Sequence, residues 1–411
     1  MTATHFNIII CGGGIGGIAA SIGLRKKGHN VTILEGSSSL SEVGAGIQMP
    51  PNSVHVLKEY GIFDKFLPYI TRPKNICLRR YDNGKVLSMT PLDPEMTKSY
   101  GNPYVLIHRA DYQRILHESA LELGVEYKLN SRIASVDQEA VTVTMVDGNI
   151  HQADIIVGAD GIRSKVRDSA VVTEEKVLPL KCSNCAYRAT IPREVMLSDP
   201  EIAHLMTDVN SNCWIGYRRH IMAYPIRNGE LYNMVLCHPG EASVGVWNEP
   251  GDVEEMRHHY RNFDPIVVRL LSKVQSVLKW VLADLPMLPR YVSESGKVVL
   301  IGDAAHAMLP YLAQGAAQAI EDGATLADEI NMCKSSSDIP VALKNYQKRR
   351  KRRVEAVQAG AHKNGHVWHL PDGEEQEERD TKMMKRDDNN PDQWSDIEYQ
   401  RWLFGWNAFI D

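Results

Sequence analysis

Three glycines spaced as Gly12-x-Gly14-x-x-Gly17, with an acid downstream at Glu35, have the types and spacing to hold a dinucleotide. Gly12 permits a tight turn, Gly14 lets the backbone approach a pyrophosphate, and Gly17 lets a following helix pack on a sheet. Free N–H groups at the start of that helix attract the phosphates, and the Glu35 carboxylate suits the ribose hydroxyls. NAD and FAD both use this arrangement. The fingerprint alone does not choose between them.

Other chemistry-bearing positions recur along the chain. Gly44, Gly46 and Gln48 belong to a small-residue loop read as facing a ligand. Arg109 stands where a strand runs into a helix, a place from which a side chain reaches a cleft; taken alone it reads as a salt-bridged surface arginine. Asp160-Gly161 follows a buried-type strand, and Gly302-Asp303 follows another, ahead of Pro310, Gly315 and Ala316. Arg188, Tyr217, His220 and Tyr224 lie in strand-rich sequence, with 220 and 224 on one face of a regular strand and 217 on the other. Two further motifs lack support. Cys182 and Cys185 have metal spacing without a second Cys/His pair. The run Lys348 to Arg353 reads as a solvated helix face rather than a nuclear signal.

The elements needed to position these residues are legible in order. An apolar strand Ile8 to Cys11, a helix ending near Gly28 and a strand Val31 to Leu34 form a βαβ unit around the glycines. Asp82-Asn83-Gly84, Asp147-Gly148 and Asn228-Gly229 mark hairpins. The stretch 181–237 reads as a twisted sheet beside helices at 253–261 and 265–281. Helices are expected at 316–332 and 341–358, and 371–391 reads as irregular, with the aromatic cluster Trp402 to Trp406 packed back on the body. The chain of 411 residues is 43% hydrophobic and 24% charged, with a formal charge of −5 that gives no drive toward nucleic acid. No apolar run approaches the roughly 18 residues of a membrane span. Neither a signal peptide nor a disulfide framework is indicated; seven cysteines suggest reduced thiols and a cytoplasmic location.

Taken together, residues 12–17 with Glu35, 158–164 and 302–316 resemble the single-component (group A) FAD-dependent aromatic hydroxylases, most nearly the salicylate-hydroxylase-like FAD monooxygenases of fungi. The resemblance spans nearly the whole chain and implies FAD as the held nucleotide and NADPH or NADH as a transient co-substrate. It implies an α/β fold with a Rossmann-like FAD-binding domain of the glutathione-reductase and p-hydroxybenzoate-hydroxylase type. That domain is expected to be discontinuous, over 1–75, 100–175 and 290–335. A β-sheet substrate domain would cover 76–99 and 176–289, and a C-terminal helix and tail 336–411. By the same resemblance, Glu35 holds the adenosine ribose, Arg109 the pyrophosphate or ribityl chain, and Asp303 the ribityl side. Backbone N–H groups near Gly315 and Ala316 face the flavin pyrimidine, and Asp160 serves both nucleotides. The implied reaction uses dioxygen to hydroxylate an electron-rich, salicylate-like or other phenolic ring through a flavin hydroperoxide. Arg188 would bind a phenolate or carboxylate, Tyr224 or Tyr217 would assist, His220 is a weaker candidate base, and Pro310 shapes the oxygen pocket. An indole or polyketide-derived secondary metabolite fits the same motifs. An NAD-linked dehydrogenase accounts only for the first of them. The expected partners are a small aromatic molecule and dioxygen, in a monomer or homodimer.

Overall fold

The computed structural model describes residues 4–40, 45–174, 176–240 and 249–411, so Gly44 lies outside the described residues. Continuous apolar runs build its first layer, because a parallel sheet is buried on both faces and needs no polar alternation. Strand Asn7–Cys11 occupies the middle, with Ile155–Gly158 and then Val298–Leu300 on one side and Asn30–Leu34 and then Glu126–Lys128 on the other. All four pairings are parallel: Ile10 sits opposite Val157 and Ile33, and Val157 opposite Val299. The three glycine-containing motifs therefore leave neighbouring strands at the same edge of one sheet.

Helix Ile15–Lys26 packs against helix Gly315–Asn331 through small residues. A Cβ on Gly323 would meet the Ala20 backbone at 2.8 Å, and one on Gly16 would meet Ala319 Cβ at 2.9 Å. This close crossing ties the first glycine loop to the last.

The second layer is an eight-stranded sheet in the order Glu249–Gly251, Val277–Asp284, Leu180–Pro192, Leu231–Pro239, Arg219–Ile226, Ser211–Gly216, Asn75–Arg80, Val86–Pro91. Only the pairing of Ser211–Gly216 with Asn75–Arg80 is parallel. One face buries Tyr187, Trp214, Ile221 and Leu236 against helices Val253–His259 and Pro265–Ser272. The other buries Ile76, Cys213, Met222 and Tyr224 together with Leu309, Tyr311, Trp368 and Trp394. The small two-stranded sheet Gly46–Met49 and Val105–His108 bridges the two layers. Among the described residues, no helix is long and apolar enough to cross a membrane.

Three expectations are corrected. The helix expected over 265–281 stops at Ser272, and Val277–Asp284 is a strand because it completes the ladder beside Leu180–Pro192. The charged stretch expected to be irregular contains helix Glu374–Met383, which buries Gln376, Arg379 and Met383. The basic run lies on helix Ile339–Trp368 but does not form a solvated face: Arg350 and Arg353 are buried.

Candidate flavin and substrate site

The first glycine loop is held from several directions. Gly12 has φ +112°, and a Cβ on Gly17 would sit 2.1 Å from the Gly12 carbonyl oxygen, so both positions require glycine. A Cβ on Gly14, by contrast, would enter open space. The Gly13 N–H donates to Glu35 Oε2 at 2.7 Å, while its carbonyl accepts from Gln113 Nε2 at 2.9 Å and from Tyr127. Glu35 also accepts from the Ser37 N–H and hydroxyl. Arg109 opens helix Arg109–Glu122, and its N–H bonds the Ala45 carbonyl. Asp160 is engaged within its own turn, accepting from the Ser164 hydroxyl and from the N–H groups of Lys165 and Val166. Burial outweighs those bonds and raises its carboxyl above the usual range.

At the third motif, Gly302 (φ +56°) turns the chain so that Asp303 is exposed between buried neighbours. Below it lies a charge network. Asp322 Oδ2 accepts from the Gly302 N–H at 2.9 Å and bonds His306 Nε2 at 2.6 Å, while Asp322 Oδ1 accepts from Arg350 at 2.7 Å. Glu321 binds Arg350 and Arg353 at 2.6 and 2.8 Å. Its other oxygen accepts from Asn52, which also donates to Gln314. Burial alone raises the Asp322 carboxyl, but His306 and Arg350 more than offset this, and it falls to about 2. Trp406 covers both arginines, 4.8 Å from Arg350 and 4.5 Å from Arg353.

The residues present fit FAD. Helices Ile15–Lys26 and Gly315–Asn331 begin at Gly14 and Gln314 with no side-chain cap, so their first N–H groups await an external acceptor. They would hold the pyrophosphate and the flavin carbonyl edge, with Glu35 and Asp303 as acceptors for hydroxyl groups.

On the sheet side, direct cross-strand partners share a face. Arg188, Val235 and Met222 form one such row, and Thr190, Asn233 and Tyr224 form the next. The Arg188 guanidinium lies 4.2 Å from the Trp280 ring centre. Tyr224 packs under Gly46, where a Cβ would meet its ring at 2.5 Å, and Asn233 Oδ1 takes the Gly46 N–H at 2.7 Å. Burial raises the Tyr224 phenol, partly offset by Arg188 and by Gln48, which also accepts from Tyr104. Pro310 begins a short turn and is exposed, whereas Leu309 and Tyr311 are buried.

His220 shares the face of Tyr224, but its Nδ1 is 2.9 Å from His369 Nε2. Burial, followed by His369, holds it well below the usual histidine range. Tyr217 does not join this group. Strand Ser211–Gly216 ends one residue earlier, so Tyr217 lies in the hairpin turn and is 51% exposed. Sequence reasoning missed Gln113, Asn233, Trp280 and the Glu321–Asp322 network, all of whose partners are remote in the chain.

A family model for an FAD binding domain matches residues 5–361. The chain is 37% identical over 407 residues to the FAD-dependent monooxygenase OpS4 of Beauveria bassiana, covering 98% of this chain and 95% of that protein. It is 30% identical over 404 residues to the 3-hydroxybenzoate 6-hydroxylase of Polaromonas naphthalenivorans, covering 98% and 96%. A solved salicylate hydroxylase substrate complex superposes with a TM-score of 0.80 at 24% identity, covering 98% and 96%, a likeness of fold. The chain belongs to the FAD-binding class A monooxygenase family. It is an FAD-dependent monooxygenase, of a class that takes its electrons from NAD(P)H.

Proposed function

We propose that the substrate is a phenolic or similarly electron-rich aromatic carrying a carboxylate or readily formed phenolate, a salicylate-like benzoate being the simplest case. The observation that carries this reading is Arg188, stacked on Trp280 on the face that also bears Tyr224. Guanidinium remains charged at any working pH and binds a carboxylate or phenolate oxygen in a fixed orientation. The names of relatives, 3-hydroxybenzoate 6-hydroxylase and 3-amino-4-hydroxybenzoate 2-monooxygenase, support an acidic ring.

When bound, FAD supplies the transfer of electrons from NAD(P)H to dioxygen, one oxygen atom going to the ring and the other to water. The chain's own residues do the rest. Arg188 anchors the acidic group. Tyr224, protonated by its burial, donates a hydrogen bond to a ring substituent. Met222, Val235 and Leu309 keep water from the reacting face. Glu35, Arg109, Asp160, Asp303 and the N–H groups of Gly315 and Ala316 bind the nucleotide, and Gly46 and Gln48 set Tyr224 against it. This assigns 1–75, 100–175 and 290–335 to nucleotide binding, and 76–99 with 176–289 to the substrate.

The test is anaerobic reduction by NADPH and by NADH across hydroxybenzoates, neutral phenols and indoles. A hydroxybenzoate is expected to accelerate bleaching of the flavin, and Arg188→Ala to lower kcat/KM for it about 100-fold, about 2.7 kcal/mol, with flavin content unchanged. Acceleration by indoles alone, or acceleration by any of the panel that is indifferent to Arg188→Ala, would exclude an acidic ring held by Arg188.

A further inference from the structure

Helix Ile339–Trp368 sends Arg350 and Arg353 into the network below Gly302, and beside them it carries a second basic stripe. Asn345, Lys348, Arg352 and Ala356 recur at spacings of three and four, so they share one face of the helix. Trp402, on helix Ile397–Phe404, and Trp406 just beyond it form the opposite wall. With Glu329 and Asp411 these residues line a cavity of about 770 Å³, open to solvent. That lies within the roughly 300–1,000 Å³ of small-molecule sites. Two cations at the cavity are already neutralised, Arg349 by Glu329 at 3.1 Å and Arg353 by Glu321 at 2.8 Å. Lys348 and Arg352 are exposed, and neither makes a hydrogen bond or an ion pair among the described residues. Arg353 is 6% exposed and lies 5.0 Å from the Trp402 ring centre and 4.5 Å from that of Trp406, which ties both indoles into one wall. Trp402 is nevertheless 39% exposed.

We propose that this cavity binds a nucleoside diphosphate. Lys348 and Arg352 stand one helical turn apart, where they span two neighbouring phosphate groups with charge-assisted hydrogen bonds. The exposed indole of Trp402 is a stacking platform for the base. Asn345 and Asp411 supply acceptors for the sugar hydroxyls, and the Asp411 carboxylate is steadied by the Asn407 N–H at 2.7 Å. An inorganic anion would use the cations and leave the indoles idle, so the aromatic wall selects a nucleotide. The cavity is distinct from the flavin site, but Arg353 connects them. It donates to Glu321, which also accepts from Asn52, and Asn52 donates in turn to Gln314.

The test is calorimetric titration of the FAD-loaded, oxidised protein with ADP and separately with inorganic pyrophosphate, followed also by tryptophan fluorescence. The expected result is one ADP per chain, quenched tryptophan fluorescence and unchanged flavin content, with pyrophosphate at least 10-fold weaker. Lys348→Ala combined with Arg352→Ala should weaken ADP at least 10-fold, whereas Lys363→Ala, on the same helix outside the cavity, should not. Trp402→Ala should weaken ADP and leave pyrophosphate unchanged. ADP binding indifferent to the double substitution would place the nucleotide elsewhere on the protein and overturn the proposal. Pyrophosphate as tight as ADP would reduce the cavity to an anion patch and overturn the nucleotide assignment. Absence of ADP binding to the unsubstituted protein would overturn it without recourse to any variant.

Discussion

Single residues matter here in proportion to how completely their surroundings commit them. His29 is 2% exposed, stacked on Phe6 at 5.5 Å, and burial, then the nearby His5, pushes its pKa down to about 4. In the unfolded chain it titrates near 6.5. Between those values the unfolded state binds the proton first, so stability falls as the pH drops from about 6.5 to about 4. Denaturant midpoints at pH 7, 5.5 and 4.5 are expected to follow that slope, to which His238 and the half-buried His369 add in the same sense. His29→Gln is expected to make it shallower by one histidine's share; parallel profiles would contradict the assignment. Gly12, Gly17 and Glu35 were readable in advance because each acts within its own βαβ unit. Arg350 and Arg353 were not, since Glu321 and Asp322, which neutralise them, sit on another helix. Tyr217 was misplaced because 211–226 reads as one continuous strand, whereas the chain reverses at Tyr217 and Arg218 between two antiparallel strands.

Elements read correctly where period and breaker agreed, as in the hairpin around Asp82-Asn83-Gly84 and the helix after Gly315. They read wrongly where a neighbour decided the outcome. Val277–Asp284 is apolar enough for either state, and the strand Leu180–Pro192 makes it a strand. Helix Glu374–Met383 has little apolar content and stands on buried Arg379 and Met383. The most consequential element interaction joins helix Gly315–Asn331 to helix Ile339–Trp368 through two carboxylates and two guanidinium groups. Glu321→Gln leaves that network a charge short, and urea unfolding is expected to show a loss of about 3–5 kcal/mol. Because Asn52 and Gln314 share the same contacts, the variant should also release FAD more readily on dilution. Unchanged unfolding would mean the network is replaceable by neutral hydrogen bonds.

At the scale of the molecule, the family was legible because its three motifs are each local and their order is distinctive. On the substrate sheet, Arg188 and Tyr224 were named from the sequence, but their partners Trp280 and Asn233 were not, because they come from other strands of the sheet. Ligand binding is expected to stabilise the whole: FAD at about 100 times its Kd adds about 2.7 kcal/mol. Gly14 isolates that effect. Its φ of −73° suits any residue, and a Cβ there has no heavy atom within 4 Å beyond its chain neighbours. Gly14→Val should therefore leave the melting temperature without FAD unchanged and abolish the increase that FAD produces. A lowered melting temperature without FAD would show that the position serves the fold as well. The parallel sheet also sets a timetable for synthesis. Asn7–Cys11 and Asn30–Leu34 leave the ribosome early, but the outer strand Val298–Leu300 and the helix carrying Glu321 follow about 15–50 s later at ~5–20 residues per second. Until then the first glycine loop has no third motif opposite it. Flavin capture is thus a late event in the life of the nascent chain, and the early strands must be kept from wrong partners while they wait.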